Sequence, residues 1–183
     1  MADSVALDLV DKGMVTDQII LTVGYDMESL TDPGIRKKYK GPVTTDVYGR
    51  QVPKHAHGTA NLDRQTASSK LITEAVLDLY DRIVNPDLLV RRLTIAVNRV
   101  VEESEGGELE DAAYEQLDLF TDYAALERQR EEEEAELRKE RKLQEAMLTI
   151  KKKYGKNAIL KGINLEEGAT GRERNEQIGG HKA

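Results

Sequence analysis

"SSKLITEAVLDLYDRIVNPDLLVRRLTIAVNRV", residues 68–100, carries two periodicities end to end, and the switch between them decides the fold. In the first half, Leu71, Ile72, Ala75, Val76, Leu79 and Ile83 recur at i, i+3 and i+4, which gathers them on one face of a helix. Thr66 or Ser68 offers a cap, and Asn85-Pro86 ends the run because proline cannot continue a helix. In the second half, Leu93, Ile95 and Val97 alternate with Thr94, Ala96 and Asn98, the period of a half-buried strand. A one-faced helix followed by a one-faced strand implies a sheet covered on one side.

The residues upstream extend this pattern. "SVALDLVDKGMV" places Val5, Ala6, Leu9, Val10 and Met14 on one helical face, with Gly13 as a stop. "QIILTVGY" alternates Ile19, Leu21, Val23 and Tyr25 against Thr22 and Gly24. "HAHGTANL" sets Ala56, Gly58, Ala60 and Leu62 against His57, Thr59 and Asn61, and its small inward residues leave room for a helix to pack closely. The order is helix, strand, long loop, strand, helix, strand. This predicts an α+β domain with two helices on one face of a small antiparallel sheet.

The other sheet face has a distinct chemistry. Thr22, His57, Thr59, Asn61, Thr94 and Asn98 are short hydrogen-bonding side chains. Residues 36–64 add Arg36, Lys37, Lys38, Lys40, Arg50, Lys54 and Arg64 against only Asp46 and Asp63, and Arg91, Arg92 and Arg99 accompany the last strand. Such a face suits a phosphate backbone, which amide, hydroxyl and cationic donors hold without reading sequence. A merely solvated antiparallel face has the same pattern. The residues proposed for DNA contact are Lys54, His57, Thr59, Asn61, Arg92, Thr94 and Asn98. No glycine-rich phosphate loop, carboxylate pair or serine-histidine arrangement emerges, so no residue is assigned as catalytic. His55 and His57 lack a third ligand nearby, so no metal site is predicted.

Composition sets the boundaries. The chain has 183 residues, 39% of them apolar and 33% charged, with no tryptophan, which fits a small domain plus appendages. No stretch approaches the roughly eighteen apolar residues of a membrane span, and no secretory signal opens it. Cysteine is absent, which excludes disulfides and thiolate chemistry and fits a soluble, cytoplasmic protein. The net charge of −7 is unevenly spread. Lys plus Arg against Asp plus Glu stand at 13 to 13 in residues 1–101, 0 to 8 in 102–120 and 14 to 13 in 121–183. The acidic segment marks a domain edge near Val101. Four regions follow: a domain over 1–101, an acidic linker over 102–121, a charged helix over 122–153 and a flexible tail over 154–183.

"DLVDKGMVTDQIILTVGYDMESL", "VPKHAHGTANLDRQTASSKLITEAVLDLYDRIV" and "LLVRRLTIAVNRV" resemble the little finger, the C-terminal DNA-gripping domain, of Y-family translesion DNA polymerases. The nearest branch is the UmuC-like (ImpB/MucB/SamB) one of Gram-positive bacteria. The tail, with "LQEAMLTIKKKYGKNAILKG" and "NLEEGATGRERNEQIGGHKA", is similar too. The resemblance implies a β-α-β-β-α-β unit whose first strand is missing here, so that the chain is a C-terminal fragment. It also implies that catalysis, with two divalent metals held by palm carboxylates, belongs to domains absent from this sequence. The fragment itself would need no cofactor.

"QLDLF", Gln116, Leu117, Asp118, Leu119 and Phe120, contains the only phenylalanine of the chain. It is similar to the bacterial sliding-clamp binding motif. Leu119 and Phe120 would fill an apolar pocket, Leu117 would add area, and Gln116 would hydrogen-bond at a second subsite. The alternative is a helix start that packs locally on "DYAALERQ". Residues 123–153 are strong helix formers without glycine or proline. Between Arg128 and Lys142 only Ala135 and Leu137 are apolar, which predicts a solvated or partner-ordered helix rather than a coiled coil. The partners expected are therefore DNA and the sliding clamp. The rival reading is an independent adaptor; an RNA-binding module is disfavoured because the open face lacks aromatic residues for base stacking.

Overall fold

The computed structural model describes residues 1–104, 123–178 and 181–182. Helix α1 (Ala2–Lys12) ends at Gly13, whose φ of 64° is left-handed and whose N–H is offered to the carbonyls of Leu9 and Val10. That turn lets the chain reverse at once into β1 (Met14–Tyr25), so Met14 opens the strand rather than closing the helical stripe. β1 is the central strand. It pairs antiparallel with β4 (Ala56–Thr66) on one side and β5 (Val90–Asn98) on the other. A short β6 (Val101–Glu102) continues the β5 side against Met14 and Val15, so pairing runs past the expected edge at Val101. Among the described residues, no strand pairs with the outer edge of β4 or β5.

Helix α4 (Ser69–Ile83) lies beside α1 on the inner face of this sheet. Ser68 is its N-cap, its hydroxyl accepting from Leu71 N at 3.2 Å, while the hydroxyl of Thr66 accepts from Ser68 N at 3.0 Å. Both cap candidates are therefore used, one at the helix and one at the turn before it. The core forms two adjoining clusters. Ala6, Leu9, Val10, Ile19, Ile72 and Val76 build one; Leu21, Val23, Tyr25, Tyr39, Leu79 and Leu88 build the other. Gly58 lets α4 approach: a Cβ there would lie 2.9 Å from Leu79 Cδ1 and 3.0 Å from Ile83 Cγ2.

The segment expected to be a long loop is built. Helices α2 (Glu28–Thr31) and α3 (Pro33–Lys38) are followed by a hairpin of β2 (Val43–Thr45) and β3 (Gln51–Pro53). Asp32 caps α3 by accepting from Ile35 N at 2.9 Å, with Pro33 in the first turn where its missing N–H costs nothing. Each element is too short to show a periodicity, which is why the pattern reads as a loop.

The larger departure is helix α5 (Tyr123–Tyr154), which is not solvated along its length. Its C-terminal half docks beside α1 and the start of α4. Gln144 and Met147 are 4% and 6% exposed, and Leu148 packs on the first core cluster. Gln144 Nε2 donates to Ala67 O at 3.0 Å. Glu140 meets the N-terminus of α4, accepting from Ser68 Oγ at 2.5 Å and from Lys70 N at 3.0 Å. The docking stripe, Leu137, Glu140, Gln144, Met147 and Lys151, has helical spacing, but three of its members are polar. A count of apolar residues misses it. Beyond α5 come a 3₁₀ turn (Gly162–Leu165), helix α6 (Gly171–Asn175) and paired strands β7 (Gln177–Ile178) and β8 (His181–Lys182). Lys161 reaches back to Asp3 at 2.6 Å, so the region expected to be a free tail is tied to α1.

Candidate nucleic-acid interface

The open face is ordered by the register of β1. Gln18 stands between Asn61 and Asn98, Ile20 between Thr59 and Ala96, and Thr22 between His57 and Thr94; Gly24 is opposite Arg92. Six of the seven predicted contact residues therefore share one surface: His57, Thr59, Asn61, Arg92, Thr94 and Asn98, all exposed. Lys54 is exposed but precedes β4, and its N–H donates to Pro42 O at the base of the hairpin, outside the strand rows. Alternation puts these residues here because the odd positions of β4 and the even positions of β5 face away from α4.

The rows are cross-linked. Gln18 Nε2 donates to Asn61 Oδ1 at 2.9 Å, and Asn98 Nδ2 donates to Gln18 Oε1 at 2.9 Å. Three amides thus span three strands, each keeping polar atoms for a ligand. In the next polar row, Thr22 Oγ1 and His57 Nδ1 are 2.9 Å apart. Gln18 belongs to the site and is missing from the residues singled out by sequence. Its signal was its even spacing from Thr22, interrupted by Ile20.

The cations divide into engaged and unengaged. Arg91 pairs with Asp26 at 3.4 Å, Arg99 with Asp17 at 3.8 Å and Arg64 with Glu133 on α5 at 3.4 Å. Arg99 also has a φ of 49°, the left-handed value that separates β5 from β6. Arg92 and Lys54 have no ion-pair partner among the described residues. The face therefore presents a lattice of neutral donors and acceptors with one unpaired guanidinium at its Gly24 end. This can hold phosphate oxygens.

His55 and His57 are brought into no metal-binding group: no cluster of three or more His, Cys, Asp or Glu that could hold an ion occurs among the described residues. None of their helices is long and apolar enough to cross a membrane. Gln116, Leu117, Asp118, Leu119 and Phe120 lie outside the described residues. The chain matches no model of a known protein family and no curated protein.

Proposed function

We propose that this chain is the DNA-gripping, clamp-tethering C-terminal portion of a Y-family translesion polymerase, UmuC-like, acting in the cytoplasm in DNA repair and the SOS response. The observation that carries this reading is the open sheet face, on which neutral hydrogen-bonding side chains in register end at an unpaired Arg92. The sequence resemblance supports it. The polymerase chemistry and its metals would reside in other domains, and the fragment itself would not be an enzyme.

The sheet would lie along a duplex backbone, binding without sequence preference in the ~10⁻⁴ to 10⁻⁶ M range of nonspecific complexes. Fluorescence anisotropy of a labelled duplex at several salt concentrations tests this. A negative slope of log affinity against log salt is expected; no binding at low salt, or binding indifferent to salt, favours the adaptor reading. The tether is tested separately by titrating a bacterial sliding clamp. Burying each apolar side chain contributes ~1.5–3 kcal/mol, so Leu119→Ala with Phe120→Ala should remove roughly two to four decades of affinity. An unchanged affinity would end the tether proposal.

A further inference from the structure

The β2–β3 hairpin exposes its apolar residues on a rigid support. Asp46 Oδ1 accepts from Tyr48 N and Arg50 N, each at 2.9 Å. Its Oδ2 takes Arg50 Nε at 2.8 Å and Nη2 at 2.6 Å. The backbone closes the same turn: Asp46 N donates to Arg50 O at 2.9 Å and Gly49 N to Asp46 O at 3.0 Å, with Gly49 at a φ of 77°. At the base, Lys54 N bonds Pro42 O, and Pro53 is buried. On this scaffold Val47 is 93% exposed and Tyr48 78%. A tip so fully cross-linked has little conformational entropy left to lose, so its apolar pair is presented in advance of any partner.

The setting selects the partner. The Arg50 guanidinium lies 4.9 Å from the centroid of the Tyr48 ring, backing an aromatic plane with positive charge. From residue 36 to 54 the cations are Arg36, Lys37, Lys38, Lys40, Arg50 and Lys54, of which Lys38 pairs with Asp87 at 3.2 Å, and the one carboxylate of the segment, Asp46, is consumed inside the turn. Hydrogen bonding to Arg50 holds the Asp46 carboxyl below its ordinary range, so this internal pair stays ionised at neutral pH. Strand β3 packs against β1 and against α2, the helix that follows the Gly24 end of β1, so the hairpin stands near that end of the sheet. An exposed aromatic ring backed by a guanidinium, in a segment rich in cations, matches the stacking platforms that take unpaired bases.

We propose that the β2–β3 tip is a base-stacking site: Tyr48, backed by Arg50 and flanked by Val47, takes the face of an unpaired base where a duplex held on the sheet becomes single-stranded. This rests on the DNA-binding reading above and adds a preference for junctions to it. Base stacking on a side chain is worth about fivefold to a hundredfold in affinity.

The test uses the full chain and two probes, a blunt duplex and the same duplex with a single-stranded overhang carrying a fluorescent purine analogue at the junction. The parent should favour the overhang by about fivefold to a hundredfold and quench the reporter. Tyr48→Ala should abolish both effects and leave blunt-duplex affinity within about twofold, since an exposed side chain is removed from outside the sheet face. Tyr48→Phe should retain both. Equal affinity for the two probes, or quenching that survives Tyr48→Ala, overturns the stacking site while leaving the sheet-face reading intact. Binding to neither probe overturns both. If Tyr48→Ala changes no DNA readout, the exposed pair serves a protein partner and the proposal fails.

Discussion

At Gly58 the core has no room for a side chain, because its missing Cβ is what seats α4 on β4. Gly58→Val would press new carbons into Leu79 and Ile83, already 2.9 and 3.0 Å from the position of a Cβ. Overpacking of this kind costs ~1–3 kcal/mol, so a thermal melt should show a loss of several degrees or more. At the start of β5, Arg91 and Arg92 are adjacent in sequence and differ in engagement. Arg91 is held by Asp26, whereas Arg92 has no such partner among the described residues. Arg92→Ala should therefore flatten the salt dependence of duplex binding by about one unit of slope, and Arg91→Ala by much less. Equal effects would mean that the pairing with Asp26 does not persist in the complex. The alternation of β5 was legible from Leu93 to Asn98 and already sets Arg92 with Thr94 and Asn98, but nothing in the letters shows that Arg91 is engaged. Their difference comes from Asp26, 65 positions away from Arg91.

Helix α5 shows how an element with poor intrinsic amphipathicity is still held in place. Its docking combines buried side chains with specific polar contacts: Met147 buried and Leu148 on the first core cluster, Gln144 on the Ala67 carbonyl, Glu140 at the α4 N-terminus. Truncating a buried methionine costs ~2–5 kcal/mol, more than an exposed helix of this composition retains by itself. Met147→Ala is therefore expected to release α5 while the sheet stays folded. Faster protease cleavage within residues 128–150, with little change in the melt of the sheet, would show this. The ion pair Lys161–Asp3 adds a pH dependence. Burial alone would raise the Asp3 carboxyl, but the hydrogen bonds from Lys161 and Ser69 outweigh it, and the net shift is downward. A carboxyl lowered in the folded state contributes stability that is present above its unfolded value, about 3.9, and lost as pH falls through the folded one. Acidification below about pH 4 should loosen the 155–165 segment from α1, and Asp3→Asn should remove that acid-dependent part when hydrogen exchange is followed there.

At the scale of the molecule, these contacts join what charge segmentation divides. The acidic stretch suggests a cut near Val101, but β6 pairs with β1, Arg141 of α5 bridges to Glu103 at 2.7 Å, and Lys161 reaches Asp3. Limited proteolysis should accordingly yield two pieces, one ending soon after Glu102 and one beginning near α5, that stay together on a sizing column under native conditions. Separation of the two would show that α5 does not remain on the domain. The amino-acid order alone determined the α+β class, the sequence of the main helices and strands, the Gly13 boundary and which strand residues share the open face, because each follows from a period of 3.6 or 2 within a short window. Tertiary structure alone decided the place of α5, the hairpin inside residues 39–54, the inclusion of Gln18 and the engagement of each arginine. These depend on partners tens of residues away, and on polar contacts that local periodicity does not encode.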